Sequence, residues 1–132
     1  MLNNILVVDS DRKTRFDIEN ILRKMDLNIN SIHQAANGRE GLEQLKAHSV
    51  DLVITDIEMP IMNGLEMLGQ IRSDPSFVNV PTIVVSSRRD PKLLNAIHGT
   101  GLGYLHKPFS WRELRKKVTN MKTKIADYVQ ET

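Results

Sequence analysis

With 132 residues, 40% of them hydrophobic and 26% charged, the chain has the make-up of one ordinary globular domain with its own core. It has no cysteine, which excludes disulfides and thiolate metal sites, and a net charge of +2 does not demand an acidic partner. The opening MLNNILVVDS has no basic leader or cleavage site, and no apolar run approaches the roughly 20 residues of a membrane span, so a cytoplasmic protein is expected.

In chain order the first expected strand is Asn4–Val8, followed by a helix over Asp11–Met25 with Thr14, Ile18, Ile21, Leu22 and Met25 on one stripe. A strand over Ser31–Ala35 leads to a helix over Arg39–His48 carrying Leu42 and Leu45. The third strand, Val50–Thr55, precedes a helix over Leu65–Arg72 with Leu65, Leu68 and Ile71 inward. A fourth, Thr82–Ser86, precedes a helix over Pro91–His98 carrying Leu94 and Ile97. The fifth strand, Gly103–Leu105, leads to a basic helix over about residues 110–128. That helix opens with Ser110 and Glu113 at capping-box spacing and repeats Leu114, Val118, Met121, Ile125 and Tyr128. Between Ser110 and Lys124 six cations (Arg112, Arg115, Lys116, Lys117, Lys122, Lys124) face Glu113 alone, as a solvated face or as a contact for an acidic partner. Trp111, the only tryptophan, reads as a packing residue.

Three strands (ILVV, DLVIT, TIVVS) are nearly continuous apolar runs, the pattern of strands covered on both faces. Five strands alternating with five helices predict a doubly wound α/β fold with a parallel sheet and right-handed crossovers. No repeat or linker interrupts them, so one domain over residues 1–132 is expected, its core at about 4–125.

Such a sheet gathers functional groups beyond the carboxyl ends of its strands. There the sequence places Asp9, Ser10 and Asp11 after the first strand, Asp56 after the third, Ser86 and Ser87 at the fourth and Lys107 after the fifth. Taken singly, Asp9 or Asp11 reads as a helix cap, the serines as turn residues and Lys107 as a surface lysine. Together they have a common chemistry. Clustered carboxylates suit a hard cation such as Mg²⁺, and an ionised aspartate can attack phosphorus to form an acyl phosphate. Phosphoryl transfer needs little beyond positioning and charge cancellation. Asp56 would attack, Asp9 and the metal neutralise, Lys107 pair with phosphate oxygens and Ser86 donate a hydrogen bond.

The segments ILVVDSD, DLVITDIEMPIMNG, PTIVVSS and GYLHKPF resemble the receiver domains of two-component response regulators, over about residues 4–125. The resemblance implies a flavodoxin-like sheet in the order 2-1-3-4-5 and phosphoryl transfer to Asp56 from a histidine kinase or phosphotransfer protein, with Mg²⁺. It implies a metal bound by Asp9, Asp56 and the Glu58 backbone carbonyl, a switch made of Ser86 and Tyr104, a phosphate-sensing Lys107 and a cis Lys107–Pro108 bond. Gly64 would supply an unrestricted backbone after the third strand. Glu58 and Arg88 would flank the path of hydrolytic water, as a shielding pair or as separate solvated charges. The phosphorylated state would alter the face made by the fourth helix, fifth strand and fifth helix, with Lys92, Asn95, His98, His106, Arg112 and Lys116 exposed there.

The pattern departs at Ser10, which stands where the family carries a second metal-ligating carboxylate, with Asp11 or Ser10 itself as candidate substitutes. The competing expectation is therefore a pseudo-receiver, an adaptor working without phosphorylation. An aspartyl phosphatase lacks support because Asp56-Ile57-Glu58 is not an Asp-x-Asp arrangement, and a nucleic-acid binder because no recognition motif is present. The protein is thus expected to be a phosphoacceptor rather than a true enzyme, with no attached DNA-binding domain. Leu102 and Gly103, in place of the acidic residues of dimerising members, favour a monomer at rest, with dimerisation on activation left open.

Overall fold

The computed structural model describes residues 3–88, 91–97 and 102–131. Its elements are β1 (Asn4–Val8), α1 (Arg12–Lys24), β2 (Ser31–Ala35), α2 (Gly38–Ala47), β3 (Leu52–Asp56), α3 (Gly64–Ser73), β4 (Thr82–Ser86), α4 (Pro91–Ile97), β5 (Gly103–His106) and α5 (Trp111–Glu131). All the strand pairings are parallel, and the sheet order is β2-β1-β3-β4-β5. This is the flavodoxin-like arrangement of five strands and five helices.

The apolar runs are explained by what covers each face. Ile5 and Val7 of β1, Leu52 and Ile54 of β3 and Ile83 and Val85 of β4 pack with Ile18 and Leu22 of α1 and Leu114, Val118 and Met121 of α5. The alternate residues Leu6, Val8 and Val53 face the other way, onto Leu45 of α2 and Met67 and Ile71 of α3. Val84 joins Ile57, Leu68 and Leu93 in a smaller cluster beside Tyr104. Each such aliphatic side chain, removed from water, contributes about 1.5–3 kcal/mol.

Several boundaries differ from expectation. β3 begins at Leu52, not Val50; just before it Asp51 N–H donates to Asn4 O at 2.8 Å, and the Asp51 carboxylate accepts the backbone N–H groups of Asn3 and Asn4 at 3.0 and 2.9 Å. The same strand runs on to Asp56, and β5 runs on to His106, which pairs with Ser86. α4 buries Leu93, whereas Leu94 is 39% exposed, so the inward stripe lies one residue earlier than predicted. Leu65 is likewise exposed, and α3 packs instead through Met67, Leu68 and Ile71. Trp111 is 49% exposed with the Arg112 guanidinium 4.6 Å from its ring centroid, which overturns its reading as a packing residue. His98, and the side chains of Ile97, Ile125 and Tyr128, lie outside the described residues.

Helix starts are capped by side chains. Asn63 accepts from Glu66 N–H at 2.9 Å while Glu66 reaches back to Asn63 N–H, a full capping box on α3. Ser110 and Glu113 form the box predicted for α5, at 3.2 and 3.1 Å. Both boxes begin helices that follow site-bearing strands, so they set where the chain leaves the sheet's rim.

Candidate functional site

Because the strands are parallel, their carboxyl ends share one rim, and the order reverses between β1 and β3, where such sheets open a crevice. Asp9 follows β1, Asp56 ends β3, Ser86 ends β4 and Lys107 follows β5. The register fixes their levels: Val8 lies beside Thr55, Asp56 beside Val85, and Ser86 beside His106. Lys107 N–H then donates to Ser86 O at 2.8 Å, continuing the ladder into the lysine.

The side chains converge. Lys107 Nζ lies 2.7 Å from Asp9 Oδ2 and 3.2 Å from Asp56 Oδ2, an ammonium shared by two carboxylates. Asp9 is 2% exposed, and its other oxygen accepts from Asp11 N–H at 2.8 Å. Asp56 Oδ1 accepts from Ile57 N–H at 2.8 Å. Burial, and then the neighbouring charge of Asp9, push the Asp56 carboxyl above its ordinary value, against the opposing pull of Lys107 and the Ile57 N–H. Burial works against the charge on Lys107, but the hydrogen bond to Asp9 and the two carboxylates outweigh it, so the amine is held above the ordinary lysine value. Two negative charges, one buried and one partly buried, therefore share one captive cation.

The rest of the rim is tied to Arg88. Its N–H donates to Ser86 Oγ at 3.0 Å, and its carbonyl accepts from Tyr104 Oη at 2.9 Å. Its Nε lies 3.3 Å from Glu58 Oε1, both side chains being about half exposed, so these residues are paired across the mouth and are not separate solvated charges. Tyr104 Oη also lies 3.5 Å from His106 Nδ1, and His106 is half-buried, against its expected exposure. Lys92, Asn95, Arg112 and Lys116 are exposed as expected.

Ser10 is exposed. Asp11 acts as the N-cap of α1, accepting from Lys13 N–H at 3.2 Å and from Thr14 Oγ1 at 2.7 Å, contacts that hold its carboxyl below the usual value, the Thr14 bond most. The helix-cap reading of Asp11 thus describes its present role. Among the described residues no group of three or more His, Cys, Asp or Glu side chains is gathered to hold a metal. The donors that remain, the carboxylates of Asp9 and Asp56, are hard oxygens of the kind Mg²⁺ takes together with retained water. In donor chemistry they fit the ion, one carboxylate short.

Gly64 departs from its expected role. Its backbone is not left-handed. A Cβ there would lie 2.1 Å from Asp56 O, so glycine is required for the close approach of α3 to the end of β3. Among the described non-glycine residues the left-handed one is Ile61, at φ 68°, in a tight turn where Met62 N–H donates to Pro60 O at 2.7 Å. The Lys107–Pro108 peptide is cis, as the resemblance implied. Sequence reasoning missed Arg15, whose Nη1 donates to Asp9 O at 2.6 Å and whose Nε donates to Gln34 Oε1 at 3.1 Å, locking α1 and β2 to the site strand. The usable signal was its position one turn into the helix that follows Asp9.

Asp9, Asp56 and Lys107 thus meet at the crevice of a doubly wound parallel α/β sheet. The chain belongs to the family of response regulator receiver domains, which it matches over residues 5–119, and is therefore a receiver domain of a two-component system. It is 35% identical over 130 residues to hybrid signal transduction histidine kinase D of Dictyostelium discoideum, covering 96% of this chain but only 8% of that relative's length. It is 32% identical over 115 residues to the chemotaxis protein CheY-3 of Vibrio cholerae, covering 86% of this chain and 87% of that one. Among solved structures, a CheY-like receiver domain protein from Methanospirillum hungatei superposes over 100% of both chains with a TM-score of 0.81 at 25% identity. The chemotaxis response regulator CheY4 of Vibrio cholerae superposes over 92% of this chain and 99% of its own with a TM-score of 0.79 at 25% identity. Among the described residues no helix is long and apolar enough to cross a membrane.

Proposed function

We propose that Asp56 accepts a phosphoryl group and that the modified pocket changes which protein binds the surface formed by α4, β5 and α5. The observation that carries this reading is the single ammonium of Lys107 held against both Asp9 and Asp56 at the crevice of the sheet. A carboxylate oxygen of Asp56 attacks phosphorus, the P–N bond of a donor phosphohistidine breaks, and the departing imidazole keeps the electron pair and takes a proton. The product is an acyl phosphate. Lys107, already charged and held at the crevice, is placed to exchange its contact with Asp56 for the incoming phosphate oxygens. Asp9, Asp56 and the Glu58 backbone carbonyl are the groups that would hold Mg²⁺, which supplies cancellation of the negative charge gathered at the site. The donor is a histidine kinase or phosphotransfer protein.

Transmission rests on Arg88. Ser86 Oγ now accepts from Arg88 N–H, so turning the hydroxyl toward a phosphate oxygen releases that loop and the Tyr104 hydroxyl bonded to it. The Tyr104 ring is then free to move toward the space Ser86 leaves, which alters the α4-β5-α5 face, a local change of charge biasing a two-state surface. Glu58 and Arg88, paired over the mouth, shield the acyl phosphate from water.

The exposed Ser10 and the capping Asp11 favour a second reading, a pseudo-receiver that binds its partner unphosphorylated. Beryllofluoride, which adds to an aspartate as a phosphoryl mimic, separates the two. With Mg²⁺ present it shifts the backbone amides of Asp56, Ser86, Tyr104 and Lys107 if the phosphoacceptor reading holds. Amides left unmoved at saturating beryllofluoride and Mg²⁺ overturn it in favour of the adaptor.

A further inference from the structure

On the sheet edge away from Lys107, two imidazoles lie face to face. His33, in the middle of the edge strand β2, and His48, the C-cap of α2, have ring centroids 3.7 Å apart with planes inclined by 15°. His33 pairs in register with Leu6 and so lies on the sheet face that α2 covers, half-buried, while His48 is exposed. Ser31 Oγ is 3.1 Å from His33 Nε2, and Ser31 is itself held by Asn4 Oδ1 at 2.7 Å, which fixes one edge of the ring.

We propose that His33 and His48 form a proton-operated clasp between β2 and the end of α2, closed while at most one ring is charged and opened when both are. His48 closes the C-terminal end of α2, where its backbone N–H donates to Gln44 O at 3.0 Å and its ring lies against that of His33. His33 is held below its usual pKa of 6.5 by burial and then by the charge of His48. A second proton therefore places like charges in stacked rings, and the coupled pair titrates in two steps.

Of the charged groups on the flanking elements, the last turn of α2 carries Lys46, exposed and also positive. The α2–β3 loop carries Asp51, whose Oδ2 accepts the N–H groups of Asn3 and Asn4. β1 presents Asn4 and Leu6 opposite Ser31 and His33, neither ionisable. The unfolded chain thus binds the second proton more readily than the folded one, so the clasp's contribution is intact above pH 6.5 and is lost as pH falls through the lowered His33 value. The far end of α2 touches the rim: Gly38 N–H donates to Met62 O at 2.8 Å in the loop that follows Asp56. Loosening α2 by acid consequently reaches the site loop without any phosphoryl transfer, and the inference stands independently of the phosphoacceptor reading.

The test is a titration of the histidine ring signals of the whole protein by NMR from pH 8 to pH 4.5, assigned with His33→Gln and His48→Gln. Expected are two midpoints separated by about one pH unit or more, His33 lower, and a rise of the His33 midpoint in His48→Gln. A conservative His48→Phe variant keeps a flat ring without a charge and should raise the His33 midpoint equally while holding the amide protection of α2 at pH 5. Rings that titrate together, or a His33 midpoint unmoved by either His48 substitution, overturn the clasp.

Discussion

At the scale of single residues the site is governed by a balance of charges that substitution can tip in a known direction. Asp56 is partly buried beside Asp9, so its folded pKa stands above that of the unfolded chain. The folded state binds that proton more readily, and ionised Asp56 costs stability at neutral pH, a cost absent once pH falls below the usual 3.8. Asp56→Asn should therefore raise the thermal midpoint at pH 7 in metal-free buffer, with the gain shrinking as pH falls toward 3.8, as followed by circular dichroism. Ile61 is a second residue-scale case. A β-branched side chain at φ 68°, 76% exposed, has no packing to compensate its backbone. Ile61→Asn should stabilise the fold by about 1 kcal/mol in urea unfolding. Gly64→Ala, by contrast, should destabilise it by about 3 kcal/mol or more, since the Asp56 carbonyl it would strike is backbone and cannot turn aside. None of these three features was legible in advance in its true form. The sequence marks Gly64 as special, but only the approach of two backbone segments shows that space, and not backbone freedom, is what it supplies. The Glu58–Arg88 pair is similar: two loops far apart in sequence bring the charges together, and spacing alone left pair and solvated charges equally open.

At the scale of elements the periodicities carried most of the information, and they failed where an element is short. Strands with unbroken apolar runs were found within a residue or two because both faces are covered. The predicted stripe of α4 put Leu94 inward, yet a helix of seven residues has too few turns to settle which of two adjacent leucines faces the sheet. Tertiary packing against Ile57, Leu68 and Val84 chose Leu93. Caps, which depend on side chains a few residues apart, were readable in α5, where Ser110 and Glu113 are the pair. The equivalent box at Asn63 and Glu66 holds the start of α3 against the end of β3. Asn63→Ala should cost about 1 kcal/mol in global unfolding and increase amide exchange at residues 64–67 before it affects α5.

At the scale of the whole molecule, a parallel sheet delivers residues from four strands to one rim, so the polar residues at strand ends read as one site from the sequence alone. The strand order itself came from family resemblance and not from periodicity, because alternation alone does not say which strand lies beside which. The distinctive property of this chain is charge: one carboxylate fewer than the family pattern, with Asp11 engaged by α1 and Lys107 shared between Asp9 and Asp56. The phosphoacceptor reading holds that this pocket still admits a dianion. The direct measurement is intact-protein mass after incubation with acetyl phosphate and Mg²⁺. A single phosphoryl adduct that hydroxylamine removes and that Asp56→Asn abolishes is the predicted result. A well-folded protein that stays unmodified at saturating donor and metal, or an adduct that survives Asp56→Asn, contradicts it.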